Sequence, residues 1–217
     1  MKPVYARKLF ALSLLFASPL VLAHAGHDHA DSSSSPPALR QEKTNVRFAD
    51  VVLLDQDGMP VRLEKDLVSD HLVVMGFIYT SCTTVCPVVS SIMGKVQQQL
   101  GGRVGEEVRL VSISVDPQRD DAKRLANYAR AFQRGPGWSW LTGSPYAISE
   151  TLKGLGSFSA NLEEHPPLIL VGDARSGHWT RYYGFTDPAL LVTQINRLSA
   201  RRVHAKSTAI AGQAVQP

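Results

Sequence analysis

Residues 72–100 read LVVMGFIYTSCTTVCPVVSSIMGKVQQQL, and this stretch decides the fold. Leu72 to Tyr79 is continuously apolar and rich in β-formers, the pattern of a strand buried on both faces. Val88, Val89, Ile92, Met93, Val96 and Leu100 then recur at helical spacing until Gly101-Gly102 stops them. Between the two lies Cys82-Thr-Thr-Val-Cys86-Pro87. Pro87 suits an early helical position, where its missing N–H costs nothing. Both cysteines of the 217-residue chain therefore sit on a strand-to-helix turn, with Cys86 in or near the first helical turn.

Outward from this unit the periods alternate. Phe48–Leu54 is mostly apolar, Asp55-Gln56-Asp57-Gly58 has turn chemistry, and Val61–Leu63 alternates, which predicts a β-hairpin. Val108–Val115 is a second core strand, ended by Asp116-Pro117. Asp120 and Asp121 open a helix that runs to Arg134. Trp138–Leu141 reads as a strand and Tyr146–Leu155 as a helix. Leu168–Val171 and Trp179–Tyr183 pair antiparallel across an Asp173–Gly177 turn. A last helix starts at Asp187-Pro188 and runs through Leu198. Strands alternating with helices predict an α/β fold: a mixed, mainly parallel sheet with helices on both faces and an N-terminal β-hairpin. In such sheets a site is expected beyond the carboxyl ends of the strands. The Leu72–Tyr79 strand delivers Cys82 and Cys86 there.

The N-terminus carries Lys2, Arg7 and Lys8, then the apolar run Leu9–Ala23. A basic start and an apolar stretch of this length predict a signal peptide over residues 1–23, cleaved after Ala23. The run is short for a spanning helix, which needs roughly 20 apolar residues. Export places the mature protein in the periplasm or otherwise outside the cytoplasm, and membrane contact arises only if the segment stays attached. Residues 24–41 form a His/Ser/Pro-rich leader expected to be disordered. One domain follows over 42–200, then a tail, 201–217, also expected to be disordered. The formal charge of +4 falls by three, to +1, without Lys2, Arg7 and Lys8. No basic stripe with interleaved aromatics exists, so nucleic acid is excluded as a partner class.

Two cysteines in an exported chain most often form a structural disulfide. A bridge across three residues closes a very small loop, however, and removes little entropy from the unfolded chain. Thiolate is favoured by the free N–H groups and positive dipole end of a helix N-terminus. It serves both disulfide exchange and metal binding, so acidity alone does not separate a redox pair from a metal clamp. Two soft thiolates suit copper(I) or zinc, and imidazole is the natural further donor. Of seven histidines, His165 in Glu163-Glu164-His165-Pro166-Pro167, just before the Leu168 strand, is the candidate ligand. His24, His27 and His29 in the leader are auxiliary candidates; with cleavage after Ala23, His24 offers an amine and an imidazole to Cu(II). Met75 and Met93 fall on apolar stripes and read as packing. Thr83 stands three residues before Cys86, as in a peroxide site, but nothing else supports that chemistry.

YTSCTTVCP after an apolar strand, Ser114-Val115-Asp116-Pro117 after the next one, and His165 before a late strand together resemble the Sco/SenC copper-chaperone family. The resemblance spans about Phe48 to Leu198. It implies a thioredoxin-like fold, copper held by Cys82, Cys86 and His165, and delivery to the dinuclear copper centre of cytochrome c oxidase or another cuproprotein. Asp116 has no ligand role in this reading. The alternative is a thiol–disulfide oxidoreductase using Cys82 and Cys86 as a redox pair, reducing the cysteines of such a client and itself served by a thiol reductase. The chain departs from the family pattern in having Thr83-Thr84-Val85 where many members have Pro-Asp, and Pro166 directly after the histidine.

Overall fold

The computed structural model describes residues 40–213. In chain order these form β1 (Gln41–Thr44), β2 (Leu53–Leu54), β3 (Pro60–Val61), β4 (Leu72–Ile78), α1 (Val85–Leu100), β5 (Val108–Ser114) and α2 (Ala122–Arg130). Then follow β6 (Trp138–Leu141), α3 (Pro145–Leu155), β7 (Leu168–Asp173), β8 (His178–Tyr183) and α4 (Pro188–Gln213). A π-helical turn, Leu63–Val68, separates the β2–β3 hairpin from β4.

β4 is central, and all seven of its residues are buried. Its alternation divides the molecule. Val73, Met75 and Phe77 enter a core with Leu63, Leu67 and Val68 of the π-helical turn and Ile148, Leu152 and Leu155 of α3. Leu72, Val74 and Ile78 enter the opposite core with Val89, Met93 and Val96 of α1, Leu125 and Ala129 of α2, and Leu191, Ile195 and Leu198 of α4. Each such buried Val, Leu, Ile, Met or Phe side chain contributes about 1.5–3 kcal/mol. At Gly76 a Cβ would stand 3.3 Å from Val89 Cγ1, so glycine lets α1 close on the sheet near the cysteine turn.

The strand order is β1-β8-β7-β4-β5-β6. β4–β5 and β5–β6 are parallel; β4–β7, β7–β8 and β1–β8 are antiparallel. The sheet is mixed as expected, but antiparallel ladders outnumber the parallel ones. The parallel half is built by the crossovers through α1 and α2. The late hairpin then inserts beside β4 in the other direction. β1 was not foreseen: Gln41-Glu-Lys-Thr44 has no apolar alternation, and its strand exists because β8 offers a free edge. Gln41, assigned to the leader, begins this strand. The predicted strand over Phe48–Leu54 shrinks to Leu53–Leu54. The tail expected to be disordered from Arg201 is instead helical to Gln213. No glycine or proline interrupts the chain between Pro188 and Ala211, and Ala, Arg and Lys sustain a helix with little apolar character. The signal peptide and nearly all of the leader, with His24, His27 and His29, lie outside the described residues.

Candidate metal centre

β4 ends at Ile78, and the register with β5 carries on one bond further, Val115 N–H donating to the Ile78 carbonyl at 2.8 Å. The chain then turns: Cys82 N–H donates to the Tyr79 carbonyl at 3.2 Å. α1 begins three residues after Cys82, with Thr84 at its N-cap position making no side-chain cap bond. Thr84 lacks that bond because another group accepts from the helix start. Cys82 Sγ takes the Cys86 N–H at 3.4 Å, so the sulfur stands where a capping oxygen would.

This arrangement makes the two thiols unequal. Both are free, and only 7% of Cys82 and 4% of Cys86 is exposed. Burial opposes charge on Cys82, but the hydrogen bonds from the Cys86 thiol and N–H and from Thr84 outweigh it, and the pKa comes down to about 7. Cys86 is pushed up to about 12, first by burial, then by its bond to Cys82. The sequence placed the helix N-terminus under Cys86; the structure gives its benefit to Cys82. The residue inside the first turn is buried beneath the helix, while the residue preceding the turn faces the free N–H. In the metal-free protein, Cys82 alkylation by iodoacetamide is therefore expected to rise through a midpoint near pH 7 and level off above it. Cys86 is expected to stay unmodified through pH 9. Mass spectrometry of the two peptides checks both statements, and equal reactivity would overturn the asymmetry.

His165 follows a 3₁₀ turn, Leu162–Glu164, and precedes β7. The β4–β7 register pairs Gly76 with Ile169, and its continuation sets His165 level with Thr80, two residues before Cys82. The loop thus arrives at the cysteine edge of the sheet. The ring itself is held by Ser157. Nε2 lies 3.1 Å from Ser157 Oγ and 3.2 Å from the Ser157 carbonyl, and the ring packs on Phe77 at 6.1 Å between centroids. Burial holds its pKa below the usual range, partly offset by the bond to Ser157, so the imidazole is neutral at pH 7. Among the described residues no three His, Cys, Asp or Glu side chains converge on one metal position. The structure brings Cys82 and Cys86 together and leaves His165 on Ser157. A copper ion fits the two thiols as donors, and His165 Nε2 can join only by releasing Ser157. Between the two loops an open cleft of about 540 Å³ is lined by Tyr79, Ser81, Arg119, Asn161, Leu162 and Glu163.

Ser157 and Asp120 are the residues that sequence reasoning missed. Ser157 follows Gly156, whose left-handed φ of 65° ends α3, and nothing in that turn chemistry marks a histidine partner. Asp120 reads as a helix-start acid, whereas its carboxylate is bonded to Thr80 at the cysteine turn. Met75 and Met93 are fully buried in the cores, as packing residues.

The chain is similar to several known proteins. The SCO1 protein homolog of Bacillus subtilis is 37% identical over 114 residues, which are 51% of this chain and 55% of that protein. The chain spans about half the length of the curated relatives it matches. Among solved structures, BsSco, described as a member of the Sco family of cytochrome c oxidase assembly proteins with a disulfide switch, superposes with a TM-score of 0.62 at 25% identity. That match covers 73% of this chain and 96% of BsSco. ScoI of Bradyrhizobium japonicum, solved with copper bound, superposes with a TM-score of 0.58 at 25% identity, covering 70% of this chain and 98% of that one. These neighbours confirm the thioredoxin-like α/β fold. With residues 40–201 matching the SCO1/SenC family model, the chain belongs to that family.

Proposed function

We propose that the protein is an exported copper metallochaperone that holds copper through Cys82, Cys86 and His165 and passes it to a cuproprotein, the dinuclear copper site of cytochrome c oxidase being the first candidate. The observation that carries this reading is the pair of free thiols at the strand-to-helix turn, one of them acidic. Copper is cargo here. Cys82 supplies a thiolate near neutral pH and takes the ion first. Coordination then displaces the Cys86 proton, which burial otherwise retains. His165, already neutral, leaves Ser157 and fills the third position. Client ligands replace these donors one at a time, so the ion is never free.

The test compares wild type and His165→Ala, both reduced and titrated with Cu(I) against a competing chelator. The variant is expected to bind at least tenfold more weakly, a loss of about 1.4 kcal/mol or more. Equal affinity would sink the three-ligand site. His24, His27 and His29 extend the proposal: they form an auxiliary Cu(II) capture site in the mature leader. Copper titration with and without residues 24–29 tests it, and equal stoichiometry would remove the idea.

A second reading is supported by the acidity difference and by the attachment of His165 to Ser157. In it, the Cys82 thiolate attacks a client disulfide and releases one client thiolate. Cys86 then loses its proton and attacks Cys82 Sγ, freeing the second client thiol and leaving a Cys82–Cys86 disulfide. The two electrons pass to the client, and an external thiol reductase restores the pair. Reductase activity that survives His165→Ala and disappears in Cys82→Ser would favour this reading.

A further inference from the structure

Asp120 stands one residue before the N-cap of α2, yet its side chain points inward and it is only 1% exposed. Its carboxylate accepts from the Thr80 N–H at 3.0 Å, from the Thr80 hydroxyl, and from the Ser114 hydroxyl at 2.6 Å. Its carbonyl accepts from the Thr142 hydroxyl at 2.6 Å, and its N–H donates to the Asp116 carbonyl at 2.9 Å. One residue thus joins the segments that leave β4, β5 and β6, all at the cysteine edge. Among the described residues no Arg, Lys or His forms an ion pair with it.

A buried carboxylate without a cation is costly unless its lone pairs are filled, and charge-assisted bonds of this kind are roughly twice as strong as neutral ones. Here that strength is concentrated on Thr80. Thr80 is the second residue of the turn that Cys82 N–H closes on Tyr79. That turn aims Cys82 Sγ at the Cys86 N–H. The mechanical path is short: Asp120 holds Thr80, Thr80 sets the turn, and the turn sets the sulfur.

We propose that Asp120 is the positioning residue of the cysteine turn, clamping Thr80 so that Cys82 is held against Cys86 before any metal or disulfide joins them. The inference rests on Cys82 and Cys86 being the working pair, but not on copper being the cargo. Asp120 touches neither sulfur. Its charge is the least of the influences that raise the Cys86 thiol's pKa, so its removal acts chiefly through geometry, by lowering the effective concentration of one thiol at the other.

The experiment equilibrates the reduced, metal-free full chain with oxidised and reduced glutathione at fixed pH. One oxidised glutathione takes two electrons and two protons from the pair, giving two reduced glutathiones and the Cys82–Cys86 disulfide. Asp120→Ala is expected to shift this equilibrium about tenfold towards the dithiol, the size of a lost bond to a charged group. Asp120→Asn keeps the shape and an acceptor oxygen, with the Thr80 hydroxyl turned to accept, and is expected to recover most of that loss. Hydrogen exchange should rise in residues 79–86 of Asp120→Ala and stay low in Val108–Ser114. An Asp120→Ala equilibrium within twofold of wild type overturns the proposal. So does exchange that rises equally in both segments, which would make Asp120 a general stabiliser. If Asp120→Ala does not fold, Thr80→Val removes one clamp bond alone, and an equilibrium unchanged from wild type in that variant overturns the proposal equally. Copper uptake by wild type is measured separately, so failure of the copper reading leaves this result standing.

Discussion

Cys86→Ser is expected to weaken copper binding severely while leaving Cys82 reactive. The serine hydroxyl is a hard, protonated donor and does not replace a thiolate for copper(I). With one sulfur gone the chelate is lost, and affinity should fall on the order of 10³-fold, the usual scale of a lost second attachment. The backbone of residue 86 still donates to Cys82 Sγ, because that bond comes from the N–H rather than the side chain. Cys82 therefore keeps the bonds from the residue-86 N–H and from Thr84, and loses the one from the Cys86 thiol, the largest of those that lower its pKa to about 7. Its alkylation midpoint should therefore move up from about pH 7. The variant also separates the two functional readings. Cys82 can still attack a client disulfide, but no second thiol resolves the adduct. A mixed disulfide that accumulates in Cys86→Ser and not in Cys82→Ser would mark thiol exchange. The absence of any trapped species, together with lost copper binding, would mark the metal clamp. Retention of copper at wild-type affinity would refute the paired-thiolate site altogether.

Trp138→Ala is expected to cause the largest loss of stability. Trp138 is 1% exposed, stacks on Trp140 at 5.0 Å between centroids, and donates from Nε1 to the Ser112 hydroxyl at 3.0 Å. Truncation opens a cavity under α1 and α2, at a cost of about 3–5 kcal/mol for a buried aromatic. Ser112, 1% exposed, loses the bond as well. A loss near 4 kcal/mol is a large part of the ~5–15 kcal/mol that holds a domain together. The melting temperature should drop by roughly 8–16 °C. Trp138 pairs with Leu110, towards the end of β5 away from the cysteines. The folded variant at low temperature should therefore bind copper as wild type does. A melting temperature within 3 °C of wild type would show that the Trp138–Trp140 stack is not a principal part of this core.

Much of the fold was legible because the signals are local. The continuous apolar run of β4, the helical spacing of α1 and the proline after Cys86 each depend on neighbours within a few residues. β1 was not legible, since Gln41–Thr44 has no pattern of its own and is a strand only because β8 has an unpaired edge. The balance of parallel and antiparallel ladders is not legible for a related reason. The insertion of β7 and β8 beside β4 is a choice among distant partners, and each strand's own sequence suits either direction.

At the site the division is sharper. The chain by itself determined that two cysteines stand on a strand-to-helix turn and that a histidine precedes a late strand. Residue type, spacing and turn chemistry are properties of adjacent residues. Only the tertiary structure decided that Cys82 rather than Cys86 is the acidic thiol, because burial and the direction of one N–H differ across four residues. It alone attached His165 to Ser157 and Asp120 to Thr80, across 8 and 40 residues. Desolvation and hydrogen bonding depend on what surrounds a group in space, and nothing in the linear order of the residues carries that information.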